Sequence, residues 1–200
     1  MTTQAQYLDG KILIAMPTMD DPRFAKAIIY MCAHSDDGAM GIIINKPAPN
    51  MEFTDLLSRL NISDNESGSK NSIDIDQKNI DLKVLFGGPV EPSRGFVLHS
   101  GEYNNNGNTL AIDANVGLTA TLDVLHEIAK GQGPRQSLLA LGYAGWSPGQ
   151  LETELLANGW LHCSADDELL FGSDLEFKYD AALEKIGVSA ALLSSQAGHA

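Results

Sequence analysis

Short runs of consecutive apolar residues, many of them β-branched, recur along the chain and predict strands, and the two runs that flank residues 36–38 predict strands covered on both faces. The first run is KILIA (11–15), and two longer runs follow at 27–35 and 39–46. The turn-forming residues 36–38 separate these two runs, which predicts a hairpin with a short loop. Further strands are predicted at 82–88, 94–100, 109–112, 137–144 and 160–165.

Apolar residues at helical spacing predict the helices. This spacing occurs at 51–60 and at 118–134, where a glycine and a proline end the second helix. A third helix is expected at 148–159, and a final helical region from about 166 to 186. Because strands, hairpins and helices intermix, the pattern favours a mixed sheet in an α+β fold over a doubly wound parallel sheet.

The length of 200 residues suits a single domain, which we expect at residues 1–187. A polar and acidic segment at 62–79 predicts a long, mobile surface loop within that domain. Small residues dominate 188–200 and predict a tail that frays.

The net charge of −13 narrows the classes of partner. The basic residues are scattered, so the chain is repelled by DNA phosphates and by anionic lipid surfaces. We therefore expect neither direct nucleic-acid binding nor membrane binding. The first residues have neither the basic nor the apolar region of a signal segment, so we expect none, and no apolar run is long enough to span a bilayer. Cys32 and Cys163 lie in apolar runs, which favours reduced, buried thiols in a cytoplasmic protein.

The stretch GYAGWSPGQLETE (142–154) contains the start of a helix. Ser147 is predicted to cap this helix, and Pro148 to take its first position. Gln150 lies three residues after the serine and is predicted to complete a capping box.

Two residues of this stretch are not explained by the helix start. On a projection at about 100° per residue, Glu152 falls inside the leucine stripe, whereas Glu154 falls on the opposite side, in solvent. A carboxylate in the stripe needs a partner. That partner is either the first turn of the helix itself or a cation, for which Arg94 and Lys46 are the candidates. Trp146 either packs in the core or walls a groove.

Six ordered motifs span nearly the whole chain: GKILIAMP (10–17), DPRF (21–24), GAMGIIINKP (38–47), FGGPV (86–90), RGFVLH (94–99) and GYAGWSPGQLETE (142–154). NGWL (158–161) follows the last of them. Together they resemble the YqgE/AlgH family of bacterial proteins, with no departure from its pattern. The resemblance implies a compact α+β fold with a mixed, partly barrel-like β-sheet flanked by helices. It implies no established function: some members are labelled transcriptional regulators, but the family has no agreed activity, cofactor or substrate.

The motifs do not predict a cofactor or a metal. The glycines form neither a GxxxxGK[ST] phosphate loop nor a GxGxxG dinucleotide fingerprint. GGPV (87–90) is interpreted as a tight turn that lets another backbone approach closely. The pairs Cys32 with His34 and His162 with Cys163 lack the three or four convergent ligands that a zinc site needs.

Candidate site residues come from the motifs. Arg94, His99, Trp146 and Glu152 form the central group, although Arg94 and His99 face opposite sides of a regular strand and would need a bulge to share a pocket. The full set of candidate binding residues is Gly87, Gly88, Pro89, Arg94, His99, Tyr143, Trp146, Gln150 and Glu152.

Three functions compete for this set. Aromatic and arginine side chains suit recognition, and no evident nucleophile accompanies them. We therefore expect a non-enzymatic binding or adaptor protein with an indirect regulatory role, whose partner is a protein or a small ligand. The alternative is a hydrolase that uses His99 and Glu152 as acid and base. Direct DNA binding by a transcriptional regulator is the least favoured, because no basic helix-turn-helix pattern occurs.

Overall fold

A computed structural model describes residues 7–60, 82–104 and 107–188. Ten strands and five helices lie within these ranges. The strands are β1 (Lys11–Ala15), β2 (Ile28–Ser35), β3 (Gly38–Ile43), β4 (Pro47–Glu52), β5 (Lys83–Phe86), β6 (Val90–Ser100), β7 (Thr109–Ala111), β8 (Val116–Thr119), β9 (Ser137–Trp146) and β10 (Trp160–Ser164). The helices are α1 (Phe53–Arg59), α2 (Leu122–Ala129), α3 (Gln150–Leu156), α4 (Asp167–Phe171) and α5 (Phe177–Lys185).

The strands form one strongly curled sheet in the order β10-β1-β2-β3-β9-β6-β8-β7, and every neighbouring pair in this path is antiparallel. Strand β4 pairs only with β5, and β5 runs parallel to β9, which makes the sheet mixed. The predicted α+β fold with a mixed, partly barrel-like sheet is confirmed.

Strand β9 changes neighbours part-way along its length. Its first residues lie between β5 and β6, whereas residues 144–146 pair with β3. The change occurs next to Gly142, whose φ of +72° is unfavourable for other residues. A Cβ atom there would lie 2.4 Å from the carbonyl oxygen of Gly88. The two halves of the curled sheet are therefore joined at a bend that requires glycine.

Buried side chains form three clusters that cover both faces of the sheet. On β1, Ile12 and Ile14 face the interior of the curl, where α4 and α5 also pack. Leu13 and Ala15 face outward, to the cluster that includes Leu151 of α3. Helices α1 and α2 cover the outer face of β5, β6 and β9. The expectation that β2 and β3 are covered on both faces is confirmed for residues 28–32 and 41–43. Next to the turn it is wrong, because Ala33 and Ser35 are exposed and residues 38–40 are half-buried.

The helix predicted at 118–134 is wrong in its first part. Residues 116–119 form β8, and helix α2 begins only at Leu122. Leu118 fits the spacing of the helix but pairs with Leu98 of β6 and with Leu110 of β7. Pairing with two strands outweighs the local helical pattern at this position.

Two other elements differ from what the sequence predicts. Strand β4 has the sequence PAPNME, which alternates weakly and contains two prolines, and it was not predicted. It pairs with β5 alone, and such edge strands tolerate proline. The helical region predicted at 166–186 is two helices, separated at Gly172.

The predicted loop at 62–79 and all but the first residue of the predicted tail at 188–200 lie outside the described residues. Among the helices that are described, none is long and apolar enough to cross a membrane.

Candidate functional site

An open groove of about 680 Å³ lies where the two halves of the sheet meet. The end of β2 and the start of β3 line one part of it, and β6, β7 and β8 line another. The end of β9, which lies between β3 and β6 in the sheet, completes the lining. The residues that line the groove are Ala33, Ser35, Asp37, Gly38, Ala39, Met40, Val90, Arg94, Phe96, Asn108, Leu110, Leu118, Ala120, Tyr143, Gly145, Trp146 and Ser147.

Arg94, Phe96 and Tyr143 form a connected group in the groove. The guanidinium carbon of Arg94 lies 5.1 Å from the centre of the Phe96 ring, and this ring meets that of Tyr143 edge-on at 5.8 Å. Arg94 and Phe96 are two residues apart on β6, which places them on the same face. Arg94 Nη1 also donates to Glu91 Oε2 at 3.0 Å, in an exposed ion pair. The ring therefore supports a cation that remains accessible to solvent.

Trp146 lines the groove and also packs in the core, so both interpretations of this residue apply. It is 7% exposed and belongs to the outer cluster beneath α3. Its indole Nε1–H donates to Glu154 Oε2 at 2.9 Å, and that of Trp160 donates to the same oxygen at 2.7 Å. The prediction that Glu154 lies in solvent is wrong: it is half-buried, and it anchors both indoles.

Glu152 does not meet the cations proposed for it. Its Oε1 lies 2.9 Å from Nε2 of the buried His34. Because His34 Nδ1 accepts the main-chain N–H of Leu8 at 3.1 Å, the proton of the neutral ring is assigned to Nε2, which donates to Glu152. The pKa of Glu152 is lowered. Its own main-chain N–H is the largest cause, and His34 lowers the pKa further, so that together they outweigh burial, which raises it. The predicted pairing with Arg94 or Lys46 is therefore wrong.

The buried face of α3 explains why the projection failed. Leu151 is its buried residue and Leu155 is half-buried, whereas Leu156 is 86% exposed. The inner face therefore includes Glu154, three residues after Leu151. Glu152 lies at the side of the helix, where its carboxylate reaches β2.

The predicted capping of this helix is realised only in part. The helix begins at Gln150, after Gly149 in the left-handed conformation, so Ser147 is not its N-cap and Pro148 is not its first residue. Gln150 Oε1 does accept the main-chain N–H of Ser147, at 3.0 Å. Its Nε2 donates to Glu154 Oε1 at 2.9 Å. Gln150 therefore supports the loop behind Trp146 and does not line the groove.

Gly87, Gly88 and Pro89 form a tight turn against β9, as interpreted from the sequence. The N–H of Gly87 donates to Leu141 O at 2.8 Å, and its carbonyl accepts the N–H of Ile43 at 2.9 Å. A Cβ atom on Gly88 would lie 2.1 Å from the carbonyl carbon of Tyr143. These residues hold the bend of β9 in place, and none of the three lines the groove.

His99 lies on the other face of β6 and is fully buried. Its Nδ1–H donates to the carbonyl oxygen of Ser100 at 3.0 Å, and its Nε2 lies 2.9 Å from the hydroxyl of Thr119. Burial lowers the pKa of this histidine, which favours the neutral ring. The predicted group of His99, Arg94, Trp146 and Glu152 is therefore not assembled. Of the candidate residues, Arg94, Tyr143 and Trp146 line the groove.

Within the described ranges, no group of three or more His, Cys, Asp and Glu side chains is arranged to hold a metal ion. Cys32 and Cys163 are free, buried thiols, and burial raises the pKa of each. Both cysteines pack in the interior of the curled sheet and belong to its core.

Comparison with known proteins decides the family. The family model described as AlgH-like (DUF179) matches residues 12–191. The chain belongs to the AlgH-like family. A UPF0301 protein of Nitrobacter hamburgensis (strain DSM 10229 / NCIMB 13809 / X14) is 57% identical over 194 residues, which are 97% of this chain and 88% of that protein. A second, from Rhodopseudomonas palustris (strain BisB18), is 55% identical over 98% of this chain and 90% of its own length. The resemblance drawn from the motifs is confirmed.

Solved structures of two other bacterial proteins share the fold. The solution structure of the AlgH protein from Pseudomonas aeruginosa matches with a TM-score of 0.75, 38% sequence identity and complete coverage of both chains. A crystal structure of a protein from Corynebacterium diphtheriae matches with a TM-score of 0.71, at 16% identity over 96% of this chain and 94% of that one. The second likeness concerns the fold alone. The function of the AlgH-like family is not established by these relatives.

Proposed function

We propose that this AlgH-like protein is a binding protein whose groove accepts an apolar segment of a partner protein. The observation that carries the proposal is the lining of the groove, where apolar and aromatic side chains lie beside one cation, Arg94, and one carboxylate, Asp37. Leu110 is 51% exposed at its edge, and the lining also includes Met40, Val90 and Phe96. Covering these side chains with a partner releases water from apolar surface and favours binding.

The open shape favours a polypeptide over a small molecule. Sites for small ligands enclose most of the ligand surface, whereas an open groove covers one side of its occupant. An extended segment that is anchored by the rest of its protein needs only such partial burial. The volume of about 680 Å³ is large enough for a few residues of such a segment.

The hydrolase alternative gains no support from the geometry. Among the residues that line the groove there is no histidine, cysteine, lysine or glutamate. His99 has both ring nitrogens in hydrogen bonds inside the core, and Glu152 is paired with His34. The lining does include the carboxylate of Asp37 and the hydroxyls of Ser35 and Ser147. The contact between Ser35 and Asp37 is the main-chain N–H of Asp37 donating to the Ser35 hydroxyl at 3.2 Å, and among the described residues no lining hydroxyl is activated by a hydrogen bond to that carboxylate. An indirect regulatory role would follow from partner binding.

A random-peptide display library tests the binding function, with two matched variants of exposed leucines. Leu110→Ser removes an apolar side chain from the groove. Leu122→Ser removes one of nearly equal exposure, 50%, from the start of α2, outside the groove. We expect peptides selected on the natural protein to bind Leu110→Ser about tenfold or more weakly and Leu122→Ser unchanged. If the selected peptides bind both variants as tightly as they bind the natural protein, the groove is not the binding surface.

A further inference from the structure

Two polar groups in the groove have hydrogen-bonding capacity that the described residues do not use. The hydroxyl of Tyr143 has no hydrogen-bond partner within the described ranges, although its ring is fixed against Phe96. Arg94 donates through Nη1 to Glu91, and no other described acceptor engages its guanidinium. Both side chains contact the same phenylalanine ring, so Phe96 connects the two residues within the groove.

The pairing of Arg94 with Glu91 leaves the arginine available to a ligand. The side chains of both residues are about half exposed, at 54% and 49%, and exposed ion pairs contribute little to stability. The Nε and Nη2 groups can donate together to a second carboxylate while Nη1 keeps its partner. The guanidinium carbon lies 5.1 Å from the centre of the Phe96 ring, a cation–π distance that favours this position of the charge in the groove.

The chemistry of the groove specifies a singly charged anion attached to an apolar chain. A planar carboxylate matches the fork of an arginine, and a phenol hydroxyl can donate a further hydrogen bond. A phosphate carries more charge than one arginine balances. The lining contains no second cation and includes one carboxylate, Asp37, which further disfavours a doubly charged anion. Apolar side chains such as Met40, Val90 and Leu110 then contact the chain that carries the carboxylate.

We infer that the groove binds the free C-terminal end of a partner polypeptide, whose terminal carboxylate is held by Arg94 and Tyr143 and whose last side chains are apolar. This inference rests on the proposed function and names the part of the partner that is recognised. Recognition of a C-terminal carboxylate combines one charge with an adjoining extended chain, as this groove does. The net charge of −13 adds a preference for partners that are basic upstream of the apolar end.

A pair of synthetic peptides tests the role of the carboxylate. The probe is a fluorescein-labelled hexapeptide of sequence GKAVLL, prepared once with a free C-terminal carboxylate and once with a C-terminal amide, and binding is measured by fluorescence anisotropy. We expect the acid to bind about tenfold or more tightly than the amide. Arg94→Gln and Tyr143→Phe should each weaken binding of the acid and leave binding of the amide nearly unchanged.

Two further variants make the result specific. Arg59→Gln removes an exposed arginine of α1 that does not line the groove, and it should leave binding of both peptides unchanged. Leu110→Ser should weaken binding of both peptides, because it acts on the apolar chain. Circular dichroism checks that each variant is folded.

The outcomes separate this inference from the proposed function. If acid and amide bind equally and both lose affinity in Leu110→Ser, recognition of the carboxylate is wrong and the groove still binds peptides. If neither peptide binds and the display library also yields none, both proposals are wrong. Decanoate is the competitor that represents a free fatty acid. If it displaces the acid peptide at concentrations no higher than the unlabelled peptide needs, the groove is a lipid carboxylate site and the assignment to a polypeptide is overturned.

Discussion

Replacing Glu154 by alanine removes one carboxylate that accepts hydrogen bonds from both tryptophans of the chain. Trp146 and Trp160 are 7% and 4% exposed, so neither indole N–H can turn fully to water when its acceptor is lost. A hydrogen bond to a charged group contributes about 1.5–3 kcal/mol, and a buried donor left without a partner adds a penalty. Because Glu154 is itself half-buried, water can partly replace it, and we expect the free energy of unfolding to fall by about 2–4 kcal/mol.

Urea unfolding followed by intrinsic fluorescence measures this change directly. Both tryptophans donate to the same oxygen of Glu154, so the emission of the folded protein should also change in Glu154→Ala. Glu154→Gln keeps an oxygen acceptor but loses the charge, and we expect it to cost about half as much. Glu184→Ala, an exposed position on α5, is the matched control and should change stability by about 0.5 kcal/mol or less.

The reasoning would be refuted by a Glu154→Ala variant that unfolds at the same urea concentration as Glu184→Ala and has the emission spectrum of the natural protein. That result would mean that the indoles are satisfied without the carboxylate. A loss of stability with an unchanged spectrum would place the effect in the packing of α3, apart from the two hydrogen bonds.

Three further predictions follow from other contacts. The pKa of Glu102 is lowered to about 2, first by the main-chain N–H and then by the guanidinium of an arginine. The ionised carboxylate of Glu102 therefore contributes fully to stability above its unfolded pKa, and this contribution is lost as the pH falls towards about 2. The difference in free energy of unfolding between the natural protein and Glu102→Gln, measured with urea, should shrink between pH 7 and pH 2.5. His34→Phe removes the acceptor of the Leu8 N–H and should speed hydrogen exchange at that amide about tenfold or more, measured by NMR; unchanged exchange would show that the bond is not formed in solution. Gly88→Ala, at a φ of +152°, forces a Cβ atom to 2.1 Å from the neighbouring strand and should cost about 3 kcal/mol or more in thermal or urea unfolding. Gly149→Ala, with open space around the added Cβ atom and a left-handed φ of +73°, should cost about 1–2 kcal/mol; equal losses would contradict the steric argument.

Local sequence patterns were sufficient to predict the strands that are largely buried on both faces and the hairpin between β2 and β3. They failed where tertiary contacts decide the outcome, as in β8, whose leucine fits a helical spacing but pairs with two strands. The same limit applies to the site. Arg94, Tyr143 and Trp146 could be selected as candidate residues because they lie in motifs, and they line the groove. The partner of Glu152 is His34, 118 residues away on β2, and no spacing along the chain indicates that contact.

The polar residues of GYAGWSPGQLETE are explained by contacts on the side of α3 that faces the sheet and its adjoining loop. Gln150 bonds to the loop that follows β9, Glu152 bonds to β2, and Glu154 bonds to the two indoles. The segments that these side chains hold also carry residues of the groove lining, such as Ser35 and Ser147. The motif therefore supports the segments that line the groove, and the carboxylates of Glu152 and Glu154 already have hydrogen-bond partners. The arginine and the tyrosine beside Phe96 are the lining residues that the proposed recognition of a carboxylate uses.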